Sequence, residues 1–235
     1  MKENEQMKKP DVVYILKKDI EPYELTYSLR SLKNLPHGLV WFVGGEPKGL
    51  KPDRMIKHDQ VGCDKWDLIR SSMWRVLQEP ELSEEFYLFN DDFFVMKPFK
   101  GEFVNFIDLE LDDRIEELRQ EFAWLKPYGR TLYKLNEELK ILKKPRHNFE
   151  VHLPMLINKE LMKASLYVCS SPQMRSAYGN LNEIDYKQHK DMKVYDKETV
   201  PDDPDFLSTN DTTFRDGAVG KYIRGVFDNP SKYEL

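Results

Sequence analysis

The chain has 235 residues, of which 40% are hydrophobic and 12% aromatic, so it is long and apolar enough to bury a substantial core. Its formal net charge of −5 argues against a general nucleic-acid-binding surface, although it leaves room for a local basic groove. The two cysteines lack metal-site spacing, no apolar run is long enough to span a membrane, and the first residues do not resemble a signal peptide. We therefore expect a single cytoplasmic domain over residues 1–235.

The N-terminal part of the chain alternates between predicted strands and helices. Apolar residues at helical spacing predict helices at 21–34 and 64–78. Short runs of β-branched and aromatic residues predict strands at 11–16, 38–45, 55–58 and 85–89. Such alternation indicates an α/β fold with a sheet flanked by helices, in which ligands bind beyond the carboxyl ends of the strands.

Asn90, Asp91 and Asp92 follow the strand predicted at 85–89, and a second apolar run starts directly after them. A buried strand rejects adjacent carboxylates unless a cation, a metal ion or open solvent compensates their desolvation. A polar turn between the two strands of a hairpin is the structural alternative. The position of the acids at the end of an alternating α/β pattern favours a site for a hard divalent cation.

Residues 101–145 differ in character from the rest of the chain. Two charged amphipathic helices are predicted there, at 112–122 and 131–144. We expect a solvated helical hairpin that is inserted in the domain and packs on the core. Because the insertion follows the acidic strand end, a second hypothesis places it beside the acceptor site.

Glu150 and His152 alternate with apolar neighbours, so on a strand both side chains would share one face. A carboxylate and an imidazole together suit general-base chemistry or metal ligation, although a lone histidine is more often structural. Arg175 falls in a stretch rich in loop formers, at 172–185. The remaining expected elements are a helix at 158–166, an irregular connection at 196–205, a strand-like run at 206–211 and a helix at 217–226.

The candidate site residues are two kinds of charged group. Asp91, Asp92 and Asp211 lie at strand ends and could bind a cation, while Arg30 and Arg175 could bind phosphate oxygens bidentately. The chain lacks a P-loop, a G-x-G-x-x-G motif, a G-x-S-x-G elbow and zinc-type cysteine and histidine spacing. A metal-assisted transfer from a phosphorylated donor remains.

Four blocks of the sequence resemble the Stealth family. These proteins are capsular-polysaccharide sugar-1-phosphate transferases related to the lysosomal-enzyme N-acetylglucosamine-1-phosphotransferase. The second block, at 80–94, is the most specific because it carries the Asn-Asp-Asp triplet and its aromatic flanks. The other blocks are ELTYSLRSL at 24–32, His152-x-Pro154 with Arg175, and Asn210-Asp211 with the tail at 230–234.

The resemblance implies a nucleotide-diphospho-sugar transferase fold of glycosyltransferase A type, with a UDP-sugar donor and a hydroxyl-bearing acceptor such as a glycan. It implies Mg²⁺ or Mn²⁺ as cofactor, held by Asp92 and Asp211. The expected catalytic residues are Asp92, His152, Arg175 and Glu150, of which Glu150 rests on the face that it would share with His152 and not on the resemblance. The expected donor-binding residues are Asp11, Ser28, Arg30 and Asp91.

One departure from the family keeps alternatives open. The Trp-Val-Asp portion of its first block is absent here, where residues 13–19 read VYILKKD. Sugar-1-phosphate transfer to a hydroxyl is the favoured reaction. The alternatives are a glycosyltransferase of the same fold, acting on a glycan, a protein or a modified nucleic acid, and a non-catalytic module that binds a nucleotide or a glycan.

Overall fold

The computed structural model describes residues 9–58, 65–121 and 125–235, in which strands and helices largely alternate. The strands are β1 (Asp11–Leu16), β2 (Val40–Gly44), β3 (Arg54–Ile56), β4 (Glu85–Phe89), β5 (Phe93–Val95), β6 (Asn105–Ile107), β7 (Met155–Asn158), β8 (Tyr186–Gln188) and β9 (Phe206–Ser208). The helices are α1 (Pro22–Ser31), α2 (Lys65–Leu77), α3 (Leu111–Glu121), α4 (Pro127–Ile141), α5 (Lys159–Val168), α6 (Met174–Leu181), α7 (Asp211–Asp216) and α8 (Ala218–Val226).

The main sheet has five strands in the order β3-β2-β1-β4-β7. The first four are parallel, and β7 runs antiparallel to β4. An α/β fold with a mixed sheet flanked by helices is therefore confirmed. The predicted strands and helices of the N-terminal part agree with β1 to β4, α1 and α2 within a few residues. Residue 64, where the second helix is predicted to begin, lies outside the described residues.

The central strands are buried on both faces, which is why they appear in the sequence as continuous apolar runs. On one face Tyr14 and Phe42 pack in a cluster with Leu25 and Leu29 of α1. On the other face Val13 packs in a cluster that includes residues of α2 and α5. Because both faces are covered, the ends of the strands are the open sides of the sheet. The side at the carboxyl ends of the parallel strands is called the carboxyl edge below, and the opposite side the amino edge.

The acidic turn at 90–92 is not the turn of a hairpin. Strand β4 pairs with β1 and β7, whereas β5 pairs antiparallel with β9 in a separate two-stranded sheet. Residues 90–92 therefore connect two different sheets. A further pair, β6 with β8, is parallel, and the sequence pattern did not predict it.

The insertion at 101–145 contains the expected pair of helices. Apolar stripes on α3 and α4 pack against each other and against Cys169 and Ala177, so the hairpin is anchored to the core. Helix α4 begins at Pro127, four residues earlier than expected. Proline suits the first helical position because the backbone N–H that it lacks would have no partner within the helix. In the described part of the chain, no helix has the length and apolar character of a membrane span.

Two local predictions were wrong, and their errors are linked. Residues 147–154 form no regular strand, and the expected loop at 172–185 contains α6. The polar residues of α6 hydrogen-bond to the segment beside it. Ser176 Oγ accepts from the Phe149 amide at 2.9 Å, and Asn180 Oδ1 accepts from the His147 amide at 2.8 Å. These bonds occupy backbone groups that a strand ladder would need.

Candidate functional site at the carboxyl edge of the sheet

An acidic pocket of about 420 Å³ lies at the carboxyl edge of the main sheet. The first turn of α1, the turn between β4 and β5, the start of α7 and a segment before β9 all contribute to it. The residues that line this acidic pocket are Glu24, Asp91, Asp92, Lys193, Thr209, Asn210, Asp211 and Thr212. Among these described residues, four carboxyl groups face one ammonium group.

Asp92 is the least exposed of the three acids predicted to bind a cation, with 8% of the residue exposed. Its Oδ2 accepts from Lys193 Nζ at 2.8 Å and from Ser208 Oγ at 3.1 Å. Its Oδ1 is buried and has no hydrogen-bond partner within the described residues. A buried carboxylate oxygen without a partner is costly, so this oxygen marks a position where a ligand would stabilise the protein.

Glu24 is an acid of the pocket that was not predicted from the sequence. Its Oε1 accepts from Thr209 Oγ1 at 2.6 Å. Burial raises the pKa of Glu24 to about 8, and the neighbouring carboxylates contribute in the same direction. Burial and the negative charge of Asp92 likewise raise the pKa of Asp91 to about 6. The pocket thus holds more negative charge than its single ammonium compensates.

The donor set of the acidic pocket fits a hard divalent cation such as Mg²⁺ or Mn²⁺. It offers carboxylate oxygens, and Asp92 Oδ1 is buried without a partner. Asp211, the first residue of α7, also lines this pocket. Asn210 caps α7 through a capping box with Thr213. Over the described ranges, no three or more histidine, cysteine, aspartate or glutamate side chains already form a metal-binding group. The fit therefore depends on donor chemistry and on the orphaned oxygen.

A larger cleft of about 790 Å³ adjoins the acidic pocket. Asn90 lines the cleft while Asp91 and Asp92 line the acidic pocket, so the turn between β4 and β5 borders both. The segment at 191–195 does the same, since Asp191 and Tyr195 line the cleft and Lys193 lines the acidic pocket. The two cavities are consequently neighbours at one edge of the sheet.

His152 lines the cleft and is oriented by Asp191. Its Nδ1 lies 2.7 Å from Asp191 Oδ2, and the backbone amides of His152 and Lys193 donate to Asp191 Oδ1, each at 3.2 Å. Burial alone would raise the pKa of Asp191, but the bonds to His152 hold it below its ordinary value. Since Nδ1–H donates to a carboxylate, Nε2 is the nitrogen that can accept a proton.

Glu150 and Arg175 line the same cleft, but both are tied to the protein. Glu150 Oε1 accepts from the Ser176 amide at 3.0 Å, and burial raises the pKa of Glu150. Arg175 donates to the carbonyl of Leu153 at 2.7 Å and to Asn90 Oδ1 at 3.1 Å, so it holds the start of the acidic turn. The observed contacts of Arg175 are those of a positioning residue.

The helical insertion borders the cleft. Arg114 and Leu118 of α3 and Tyr128 of α4 line it, together with Trp66 of α2. The rings of Trp66 and Tyr128 are stacked, with centroids 6.2 Å apart and an interplanar angle of 22°. The cleft therefore has the His152–Asp191 pair on one side and, on the other, an aromatic pair from α2 and the insertion.

Three of the expected donor-binding residues do not lie with these groups. Asp11 is at the amino end of β1, where it accepts from the Leu39 and Ser83 amides and from Trp41 Nε1. Ser28 is fully buried and bonds the Tyr14 hydroxyl and the Phe93 carbonyl. Their polar groups serve the fold, and neither residue lines the acidic pocket or the cleft, so the structure does not bring them together with the other candidates.

Arg30 is the third. It lies in the last turn of α1, away from the pocket end of that helix, and pairs with Glu234 at 2.6 Å. It also donates to the carbonyl of Phe227 at 2.9 Å, so it anchors the C-terminal segment. Arg30 likewise lines neither the acidic pocket nor the cleft, and its role in holding a diphosphate stays a prediction.

The sequence analysis missed Glu24, Asp191 and Lys193. Glu24 carried a usable signal, because it stands in the first turn of the helix that follows β1 and therefore at the carboxyl edge. Asp191 and Lys193 lie in an irregular segment whose place is fixed by long-range contacts with His152 and Asp92. Local sequence patterns carry no information about such contacts.

Compared with known proteins, the chain matches no protein-family model and no curated protein.

Proposed function

We propose that this protein is a metal-dependent transferase of glycosyltransferase A-like fold that uses a nucleotide-sugar donor. The favoured reaction is transfer of a sugar 1-phosphate to a hydroxyl acceptor of glycan type. One observation carries the proposal: buried Asp92 has an unpartnered oxygen, and the His152–Asp191 pair lies in the adjoining cleft at the same sheet edge.

The charge of the acidic pocket supports a dependence on metal. A nucleoside diphosphate is an anion, and the four carboxyl groups of the described pocket residues outnumber its single ammonium. The diphosphate would be repelled there unless a divalent cation bound first or with it. Asp92, Asp91 and Asp211 are the residues that would hold that cation. When bound, the cation would polarise the phosphoryl oxygens and neutralise charge on the leaving group.

His152 is the proposed general base. In sugar-1-phosphate transfer its Nε2 takes the proton of the acceptor hydroxyl as the hydroxyl oxygen bonds to the β-phosphorus. The bond from the β-phosphorus to the bridging oxygen breaks, and a nucleoside monophosphate leaves with the electron pair. Asp191 stabilises the imidazolium that forms, because it accepts from Nδ1. Glu150 and Arg175 act by holding the segments on which these groups stand.

The cleft offers room for the acceptor beside the base. The aromatic pair Trp66 and Tyr128 and the α3 residues Arg114 and Leu118 form the wall away from the sheet. Aromatic rings pack against the apolar faces of sugars and leave their hydroxyls free for hydrogen bonds. A glycan acceptor suits this wall, which α2 and the helical insertion supply together.

The decisive experiment is incubation of the protein with a panel of UDP- and GDP-sugars, with Mn²⁺ or with EDTA, followed by identification of the released nucleotide. We expect Mn²⁺-dependent release of a nucleoside monophosphate. Release of a nucleoside diphosphate alone would refute phosphotransfer and identify a glycosyltransferase at the same site. Metal-dependent binding without any turnover would identify a non-catalytic module, and no binding of any donor would overturn the proposal.

Two variants with matched controls locate the activity. Asp92→Asn should abolish metal-dependent turnover, whereas Asp113→Asn, which changes an exposed carboxylate on α3, should not alter it. His152→Gln should lower kcat by about 10²–10⁴-fold and leave donor binding intact. Turnover at the native rate by either site variant would remove that residue from the mechanism.

A further inference from the structure

Lys193 is the basic residue among the described residues that line the acidic pocket. Its Nζ lies 2.8 Å from Asp92 Oδ2, and the two side chains are only 16% and 11% exposed. A pair so far removed from solvent is weakly screened, so the ammonium is a substantial positive charge at the candidate cation site. The ion pair leaves Asp92 Oδ1 as the unpartnered oxygen.

The backbone fixes Lys193 in this position. Residue 193 forms a bridge with Ser208 beside the end of β9. The Val194 amide donates to the Ser208 carbonyl at 2.9 Å, and the Ser208 amide donates to the Met192 carbonyl at 3.2 Å. Asp191 Oδ1 also accepts from the Lys193 amide at 3.2 Å. The ammonium is therefore built into the site and is not a surface lysine that happens to reach it.

We propose that Lys193 is a tethered counter-cation that weakens the affinity of the acidic pocket for free divalent ions. An ion on Asp92 Oδ1 would share one carboxylate with the ammonium on Oδ2, and the two like charges would repel each other. This inference rests on the metal site that is part of the proposed function. It adds that Lys193 lowers the affinity of this site for a divalent ion in the absence of the donor.

The consequence concerns the order in which charges enter the pocket. With a divalent ion alone, the positive charges of the ion and of Lys193 compete for Asp92. With a diphosphate present, added negative charge compensates both. A pocket tuned in this way binds the ion firmly only together with the donor, and Lys193 is then placed to bind a phosphate oxygen.

The test is calorimetric titration of Mn²⁺ alone into the full chain, in a non-chelating buffer at about 0.15 M salt to screen long-range charge effects. Lys193→Met removes the charge, and Lys193→Gln removes it while keeping an N–H donor for Asp92. Both should bind Mn²⁺ about tenfold more tightly than the native protein. Lys193→Arg keeps the charge and should show no gain.

Lys17→Met is the matched control. Lys17 is exposed and acts on the pocket through its charge on Asp91, without an ion pair to Asp92. Its removal should change Mn²⁺ affinity less than about twofold. A gain equal to that of Lys193→Met would reveal a general field effect and overturn the inference.

The remaining outcomes are equally decisive. Lys193→Met and Lys193→Gln that bind Mn²⁺ no more tightly than the native chain, or do not bind it at all, contradict the inference. Melting temperatures check that each variant folds, and unfolding of both would show that the ammonium serves the fold instead. Tighter Mn²⁺ binding by these variants, with no donor turnover by the native protein, would support Lys193 as a counter-cation and refute the transferase.

Discussion

The two edges of the main sheet each bury an aspartate, and the two aspartates differ in how fully their carboxylate oxygens are hydrogen-bonded. Asp11 at the amino edge is fully buried; its Oδ1 accepts from the amide of Leu39, directly before β2, and its Oδ2 accepts from Trp41 of β2 and from the Ser83 amide before β4. Asp92 at the carboxyl edge is nearly as buried, but one of its oxygens has no partner among the described residues and further acids surround it.

This contrast separates a structural acid from a candidate functional one. Hydrogen bonds from three donors compensate the desolvation of Asp11, so the carboxylate joins two strands without needing a ligand. At Asp92 the compensation is incomplete, and burial together with the neighbouring carboxylates raises the pKa values of Glu24 and Asp91. Burial alone does not distinguish the two aspartates, whereas the number of hydrogen-bond partners of their carboxylate oxygens does.

The largest expected effect is on the amino edge. Asp11→Ala would leave the Leu39 and Ser83 amides and Trp41 Nε1 without their acceptor. Each lost bond to a buried donor costs about 1–3 kcal/mol, so the free energy of unfolding should fall by about 3–5 kcal/mol. Urea denaturation measures this loss. A fall below about 1 kcal/mol, comparable to that of the exposed Asp113→Ala, would contradict a structural role for Asp11.

The next effect is on the carboxyl edge and concerns binding. Asp92→Asn keeps the volume and an acceptor for Ser208 and Lys193, and it relieves repulsion from Asp91. It also removes the charge partner of the nearly buried Lys193 ammonium, so the free energy of unfolding should fall, but by less than the roughly 3–5 kcal/mol expected for Asp11→Ala. Mn²⁺ affinity measured by calorimetry should fall by about 100-fold, because the buried oxygen donor loses its charge. A large loss of stability with unchanged Mn²⁺ affinity would make Asp92 equivalent to Asp11.

Much of the fold follows from local pattern. Continuous apolar runs and helical spacing identify β1, β2, β4, α1 and α2, because each element carries its own burial pattern. Helix α6 escapes this logic, since its buried Ser176 and Asn180 satisfy backbone amides of residues distant in sequence. Strand β8, whose residues are all exposed, has no apolar alternation to predict it.

The site is predictable only where a strand end places it. Asp91 and Asp92 follow β4 directly, so the α/β pattern alone puts them at the carboxyl edge. Lys193 and Asp191 reach the same edge through pairing with β9 and His152, which no local pattern encodes. Arg30 was predicted for the site but does not reach it. It stands on the same helix as Glu24, six residues further on, where it contacts Glu234.

A smaller effect is expected from the protonation of Glu24. In the unfolded chain its carboxyl titrates near the ordinary value of 4.5, whereas in the folded protein burial raises its pKa to about 8. Between these values the unfolded chain has already released the proton, so stability should fall as pH rises from about 4.5 to 8. Glu24→Gln cannot titrate and should gain roughly 1–2 kcal/mol over the native protein above pH 8.

Urea denaturation at pH 5, 7 and 9 measures that difference. Glu21→Gln, in an exposed acid that precedes the same helix, should leave the pH profile unchanged. An identical slope for Glu24→Gln and the native chain would mean that Glu24 is ionised in the folded protein. The acidic pocket would then carry one more negative charge than it does with Glu24 protonated.

The smallest effect returns to Arg30, whose resemblance-based role was donor binding. Arg30→Gln breaks a partly buried pair with Glu234 and should cost about 1 kcal/mol of unfolding free energy in urea, without altering Mn²⁺ or donor affinity. Arg54→Gln is the control, because its pair with Glu81 is exposed and should contribute nothing measurable. Weaker donor binding by Arg30→Gln at unchanged stability would restore Arg30 to the site. It would also mean that binding extends beyond the carboxyl edge, so that the two edges no longer divide structure from function.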